Sequence, residues 1–151
     1  MPSIVPSYIY TFFALALVGT ILIGTFSSLA ASLKQIPEEK QLRNVLDYVA
    51  AKSLELVNSA VASGESITVQ AVLELPTRIG QKQYWVKLES SSEWALAETG
   101  FGTTPMQPIY EVYLSSNISA SGTFIGGFGK AVLTLVLNSS GIFLSLGRLE
   151  G

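Results

Sequence analysis

One stretch near the N-terminus restricts the fold more than any other feature, because no charged side chain occurs from Ile4 to Leu33. As a helix this stretch would be roughly 45 Å long, at about 1.5 Å per residue, whereas the hydrocarbon core of a membrane is about 30 Å thick. A helix that is apolar on every side is stable only in lipid or among other protein segments. The sequence therefore predicts an apolar N-terminal helix over residues 1–33 that forms a membrane span or the core of an assembly.

A cleaved secretory signal is an alternative for the same stretch, since Ser28-Leu29-Ala30 resembles a small-residue cleavage site. In that case the mature protein would be an exported carbohydrate-binding adhesin that begins after Ala30. Against this alternative, no Lys or Arg precedes the apolar run. The run also exceeds the usual hydrophobic region of about 7–15 residues. We therefore favour a helix that is retained.

The apolar stretch carries a small residue at every fourth position, which is the pattern that lets helix backbones approach closely. Small residues are also common in membrane spans in general, but their register favours helix-on-helix packing. Bulky aromatic side chains precede them and suit either a membrane interface or a bundle core. The small residues, named here the small-residue ridge, are Ala16, Thr20, Gly24, Ser28 and Ser32. The predicted helix-bundle interface is Tyr8, Phe12, Ala16, Thr20, Gly24 and Ser28.

An amphipathic helix is predicted over residues 34–64. Charged residues appear abruptly after Leu33, and Pro37 predicts a kink or a break in the helix. Beyond it, apolar residues follow the spacing of one helix face, which indicates docking on a sheet, and Ser63-Gly64 predicts the end of the helix. The apolar stripe consists of Leu42, Val45, Leu46, Val49, Leu56, Val57 and Ala60.

The remaining chain, residues 65–151, reads as a β-rich globular head because the apolar period changes to two. A hairpin is predicted from Ser66–Leu75 and Gln83–Leu88. Five further strand-like runs follow, and the head is expected to contain six or seven short antiparallel strands in a small sandwich or a curled sheet. The predicted fold class is α+β: a long N-terminal apolar helix continuing into an amphipathic helix, then a small antiparallel β-sandwich-like head. The further runs are Glu93–Glu98, Ile109–Ser115, Thr123–Ile125, Lys130–Asn138 and Ile142–Leu149.

Two of the predicted strands are apolar on both faces, Ala131–Leu137 and Ile142–Leu146. Such a strand is either central in its sheet and covered by the amphipathic helix, or buried against a neighbouring subunit.

Composition argues against catalysis and against nucleic-acid binding. The chain contains no His and no Cys, so the commonest general base, the thiol nucleophile and the commonest transition-metal ligands are missing. The net charge is −2 without a basic cluster, which offers no surface for a phosphate backbone. The Gly126–Gly129 run lacks the Lys of a phosphate-binding loop and predicts a turn or bulge. We therefore expect no enzyme activity, no catalytic residue, no cofactor, no metal site and no nucleic-acid partner.

Two triplets fit the acceptor sequence for N-linked glycans, Asn117-Ile118-Ser119 and Asn138-Ser139-Ser140, each beside a predicted turn. An unmodified polar turn is the equal alternative at each. Charged residues make up only 13% of the chain, and both triplets lie in its loop-rich head. Together these features favour an exported glycoprotein modified at Asn117 and Asn138.

The order of an apolar helix, an amphipathic continuation and a β head resembles archaeal type IV pilins and their archaellin relatives. The most specific local likeness is Leu73-Glu74-Leu75-Pro76-Thr77-Arg78-Ile79-Gly80 followed by Tyr84-Trp85-Val86. The resemblance implies a homo-oligomeric extracellular filament for adhesion, with a core of bundled N-terminal helices and an outer surface of heads, often glycosylated. It also implies that each subunit is inserted in the cytoplasmic membrane before assembly.

Two features depart from the family pattern. Prepilins open with a short basic leader, yet no Lys or Arg precedes Ile4, and Val5 stands where many bacterial pilins carry an acidic residue. The expectation is a leader that is very short or uncleaved. The alternative function is a membrane-anchored archaellum-accessory or surface-layer-binding module with a β-sandwich head.

Overall fold

The computed structural model describes residues 4–150, with side chains described for residues 8–33 and 36–150. One helix, α1, covers Ile4–Ser63, and the chain divides into two compact units, Met1–Pro37 and Glu38–Gly151. The second unit is called the head unit below. It contains the amphipathic part of α1 together with all the strands.

Of the predicted kink or break at Pro37, the break is wrong, since the residue lies inside α1. A proline inside a helix costs about 3 kcal/mol because it removes one backbone donor and crowds the preceding turn. Burial of the apolar stripe that follows supplies more than this, at roughly 1.5–3 kcal/mol for each large side chain. The boundary between the two compact units nevertheless falls directly after this proline.

The apolar stripe predicted on the second part of α1 is buried in the core of the head unit. Leu42, Leu46 and Val49 have no exposed surface and belong to the same hydrophobic cluster as Leu133 of the sheet. Ser53 also lies in this stripe, although sequence analysis did not assign it there. Its hydroxyl donates a 2.7 Å hydrogen bond to the Val49 carbonyl, which satisfies a polar group that burial would otherwise penalise.

Seven strands follow α1 and form one sheet in the order β1-β6-β7-β5-β2-β3-β4. Gly64 separates them from the helix in a left-handed conformation, with φ of 67°, as the Ser63-Gly64 stop signal predicts. The strands are β1 Ile67–Leu73, β2 Tyr84–Ser90, β3 Ala95–Phe101, β4 Tyr110–Ser115, β5 Ile118–Ile125, β6 Ala131–Asn138 and β7 Gly141–Arg148.

The α+β fold class is confirmed, and of the two expected arrangements of strands the structure has a single sheet. All neighbouring strands are antiparallel except β5 and β7, which are parallel. β5 begins at Ile118, five residues before the predicted strand at Thr123, because pairing with β7 extends it towards the preceding turn. The Gly126–Gly129 run forms a turn after β5, as predicted.

The predicted hairpin between the first two strands is wrong. β1 pairs with β6 along its whole length, from Ile67 opposite Leu137 to Leu73 opposite Ala131. β2 pairs instead with β3 and β5. β6 lies inside the sheet, where its backbone N–H and C=O groups need a partner on each edge, and β1 supplies the second partner beside β7.

A turn between β1 and β2 docks on the beginning of the helix in the head unit. Ile79 and Lys82 form an isolated bridge, and the Lys82 ammonium lies 2.8 Å from the Glu38 carboxylate. The same ammonium lies 5.0 Å from the centre of the Phe101 ring. Ile79 and Gly80 of this turn belong to the Leu73–Gly80 segment that was singled out in the sequence.

Trp85 is buried on the side of the sheet opposite the helical stripe of the head unit. Its neighbours Tyr84 and Val86 belong to the helix-side cluster, so strand alternation directs Trp85 to the opposite side. Gly100 of β3 leaves room for the indole, because a Cβ at that position would approach the ring within 2.8 Å. The loop after β3, including Met106, lines the space beside this ring.

The buried Tyr84 hydroxyl provides a stability prediction. It donates a 2.6 Å hydrogen bond to the Pro76 carbonyl, and burial raises the pKa of Tyr84 to about 12 from the usual 10.0. Tyr84→Phe leaves that carbonyl without its donor, so we expect the free energy of unfolding to fall by about 0.5–1.5 kcal/mol at pH 7. Denaturant titration of the full chain in detergent measures it, with the exposed Tyr113→Phe as control.

The same substitution changes how the free energy of unfolding depends on pH in alkaline solution. A folded-state pKa above the unfolded one disfavours ionisation in the fold, so this stabilisation is present below pH 10 and is lost as pH rises towards 12. As the pH rises between these values, the free energy of unfolding should fall less in Tyr84→Phe than in the parent chain. Identical losses in both chains would contradict the assigned burial of Tyr84.

Candidate functional site

The most exposed apolar surface of the chain is the first part of α1. From Tyr8 to Leu33 every side chain is exposed within the chain except the partly covered Gly19. Tyr8 and Ile23, near the two ends, are 73% and 70% exposed. By length and composition this helix is able to cross a membrane. Because water does not stabilise a surface that is apolar all round, the physical partner of this helix is lipid or protein.

Three hydroxyl groups within this apolar segment donate hydrogen bonds to its own backbone. Thr20 donates to the Ala16 carbonyl at 2.8 Å, and Ser32 donates to the Ser28 carbonyl at 3.1 Å. Thr25 donates to the carbonyl three residues before it. Such bonds remove the cost of placing hydroxyls in an apolar environment, so these residues are compatible with lipid and with a tightly packed bundle.

The predicted interface residues wind around the helix. Each four-residue step advances the position by about 40° beyond one turn, so the five steps from Tyr8 to Ser28 cover about 200°. Residues at the two ends of this series therefore point in nearly opposite directions. A spiral of this kind contacts neighbours on several sides, whereas a two-helix pair would use one narrow seam.

Gly24 lies in the middle of the small-residue ridge with open space around it. A Cβ built at Gly24 meets nothing within 4 Å, and the same is true at Gly19, which lies off the ridge. Larger residues at either position are therefore tolerated within one chain. Any effect of such a substitution comes from the surroundings of the helix.

The side of the sheet that faces away from α1 is divided by charge. On β2, β3 and β4 it carries Lys87 in contact with Glu89, and Glu98 opposite Glu111. The contact with Glu89 raises the pKa of Lys87, which keeps the ammonium charged. The corresponding positions of β1, β6, β7 and β5 are uncharged: Thr68, Gln70, Val72, Thr134, Val136, Phe143, Ser145, Ser119 and Ser121.

The structure brings the two predicted glycosylation sites to one end of the sheet. Asn117 is exposed in the turn before β5, with φ of 66°, and Asn138 is exposed at the end of β6. The Asn138 side-chain oxygen accepts a 2.8 Å hydrogen bond from the Ser140 backbone N–H. Parallel pairing places Ile118 beside Ile142, so the turns that contain both asparagines are neighbours.

A groove with a volume of about 710 Å³ opens at this end of the sheet, and sequence analysis did not identify it. Trp94 and Phe143 lie on its walls together with Asn117. The only sequence signals near it are the Ser90-Ser91-Ser92 run and the two glycosylation triplets. Within residues 4–150 no three carboxylates lie close enough together to hold a metal ion.

No protein-family model, curated protein or solved structure matches this chain. Functional inference therefore rests on the surfaces of the chain itself.

Proposed function

We propose that this chain is a structural subunit of an extracellular, type IV pilus-like filament, as its resemblance to archaeal pilins implies. The N-terminal helices of many copies bundle as the core, and the β heads form the outer surface, with adhesion as the role. Each subunit is held in the cytoplasmic membrane before it joins the filament. No enzyme activity is part of the proposal.

The main support for the filament is an apolar helix that is exposed on all sides and is followed in the chain by a compact head with its own core. A membrane span requires only that such a helix be apolar. The small-residue ridge adds positions where neighbouring backbones approach closely, and its spiral course directs those positions towards several neighbours. Both properties suit a bundle in which each helix is surrounded by copies of itself.

The head unit supports the proposal through the uncharged positions of β1, β6, β7 and β5, on the side of the sheet opposite its helix. Val72 is 51% exposed there, and the uncharged Thr68, Gln70 and Thr134 lie near it on the same side. Lateral contact between heads would cover these residues without burying an unpaired charge, which is the costly event in most interfaces.

A singly anchored membrane protein, whose head binds a surface layer or an archaellum component, is the second candidate. It is favoured by the length of the apolar helix and by the internal bonding of its hydroxyl groups. These features suit a helix surrounded by lipid alone.

Electron microscopy of the full chain, first in detergent and then after detergent removal, tests the proposal. We expect uniform filaments of constant diameter. Single particles under every condition, together with stable insertion in vesicles, would refute assembly and support the anchored candidate.

We also propose that Asn117 and Asn138 carry N-linked glycans on the outer surface, since both side chains are exposed at turns. Intact-mass measurement of the protein from its own cells should exceed the 16.1 kDa of the bare chain. Peptide mapping should place the added mass at the two asparagines. A mass equal to the bare chain would remove the glycosylation proposal and leave the filament proposal standing.

A further inference from the structure

The groove at the turn end of the sheet lies on the side opposite the buried helical stripe of the head unit. Three turns form its rim: the connection from β2 to β3, the connection from β4 to β5, and the connection from β6 to β7. Its volume of about 710 Å³ falls within the range of about 300–1,000 Å³ that is typical of small-molecule sites. A ligand of one to a few rings is therefore the appropriate size.

The polar groups of this groove are neutral and available. Among residues 4–150, the side chains of Ser91, Ser92, Asn117 and Ser119 have no hydrogen-bond partner in the protein. Glu93 is the one charged residue among those that line the groove, and neither Lys nor Arg lines it. The groove thus offers hydroxyl and amide groups that donate and accept, without the positive charge that phosphate, sulfate or carboxylate ligands require.

Aromatic side chains provide the apolar part. Trp94 is 49% exposed, and Tyr113 of β4 packs against it edge-to-face with a centroid separation of 6.3 Å. This contact restrains the indole without covering it. Phe143 of β7 is also partly exposed on the groove wall. An indole held by a neighbour loses little entropy when a second flat surface stacks on it.

We infer that this groove binds a neutral saccharide. A sugar ring presents C–H groups on its faces and hydroxyl groups around its edge, which match an exposed indole flanked by serine hydroxyls and an amide. A purely apolar ligand would leave those polar groups unpaired, at a cost of about 1–3 kcal/mol each. The inference goes beyond the filament proposal and does not depend on assembly, because one chain contains the whole groove.

The saccharide has two sources that the shared chemistry does not separate. Asn117 lines the groove and the Asn138 turn is adjacent to it, so a glycan on the chain itself is within reach of Trp94. A separate glycan on another molecule would present the same groups. The experiment therefore compares chains with and without attached glycans.

The test uses the full chain in detergent, made in a bacterial host without N-glycosylation and verified as bare by intact mass. Neutral disaccharides (maltose, cellobiose, mannobiose and N,N′-diacetylchitobiose) are titrated into it, and binding is followed by Trp emission and saturation-transfer NMR. Trp85 is buried and Trp94 is half-exposed, so an emission change reports on the groove. We expect a saturable response to at least one of these sugars.

Ser119→Phe places a ring in the groove at an exposed strand position where an aromatic residue is well tolerated. It should weaken binding at least tenfold. Thr123→Phe is the matched control, because it lies on the same strand and the same side, about 13 Å further along. It should bind as the parent chain does. Trp94→Ala, followed by NMR alone, should also lose binding and provides a second variant if Ser119→Phe does not fold.

Glycosylated chain from the native cells distinguishes the two sources. If the chain's own glycan occupies the groove, added sugar will bind only after enzymatic or chemical removal of that glycan. If the ligand is a separate glycan, both forms will bind equally. No saturable response from the bare chain to any of the four sugars, or binding that persists unchanged in both groove variants, would overturn the inference.

Discussion

Gly24→Leu should abolish filament formation or reduce the yield at least tenfold while leaving the single chain intact. Within one chain a Cβ at Gly24 meets no atom within 4 Å, so the added side chain causes no clash in the monomer. In a packed bundle the same side chain would separate backbones that the small-residue ridge brings together, at about 1–3 kcal/mol per copy. About 1.4 kcal/mol corresponds to a factor of ten in an association constant.

Gly19→Leu is the matched control for this substitution. It makes the same chemical change in the same helix, and its Cβ also meets nothing within 4 Å. It lies five residues before Gly24 and therefore about 140° around the helix from the substituted position. Sedimentation and electron microscopy of the two variants beside the parent chain give the comparison. Normal filaments from Gly24→Leu, or equal loss in both variants, would rule out the ridge as the close contact.

Removal of the apolar segment, leaving a chain that starts at Gln35, should lower the melting temperature of the head well below that of the filament. The shortened chain keeps every residue of the hydrophobic core, which begins at Leu42, and also keeps Glu38 for its contact with Lys82. What it loses is assembly, and with it the neighbouring heads that would cover Val72 and the uncharged side chains around it. Head contacts worth about 2–3 kcal/mol per copy would correspond to a difference on the order of 10 °C.

Near-ultraviolet signals from Trp85 and Trp94 follow this transition in the shortened chain and in intact filaments. The full chain dispersed in detergent serves as the control, because its heads have the complete sequence but no lateral neighbours. It should have the same melting temperature as the shortened chain. Equal melting temperatures for the shortened chain and the filament would show a self-sufficient head, and would move the preference to the singly anchored protein.

The helical half of the fold was predictable because its signals are local. The uncharged run from Ile4 to Leu33 and the apolar stripe from Leu42 to Ala60 depend on composition and a period of about 3.6 residues, which neighbouring residues determine. Gly64 ended the helix as expected, since only glycine adopts the left-handed conformation there without strain. Pro37 was the exception, because burial of the following stripe outweighed a local preference.

The strand partners were decided by the tertiary structure. Alternation located β1 and β2 in the sequence, but it contained no information about which strand each would join. β6 lies between β1 and β7 in the sheet, and its partner β1 is more than fifty residues away in the sequence. A short-range hairpin would have left that edge of β6 unpaired.

The groove likewise exists only in the folded chain. In the sequence Asn117 and Asn138 belong to separate polar turns, and no local pattern assigns a role to Trp94 or Phe143. Parallel pairing of β5 with β7 places Ser119 beside Phe143, and the order of the strands brings the Trp94 turn to the same end. The chain alone determined which residues are polar, aromatic or small. Their assembly into one surface required long-range strand pairing, because the burial that selects each pair involves residues distant in sequence.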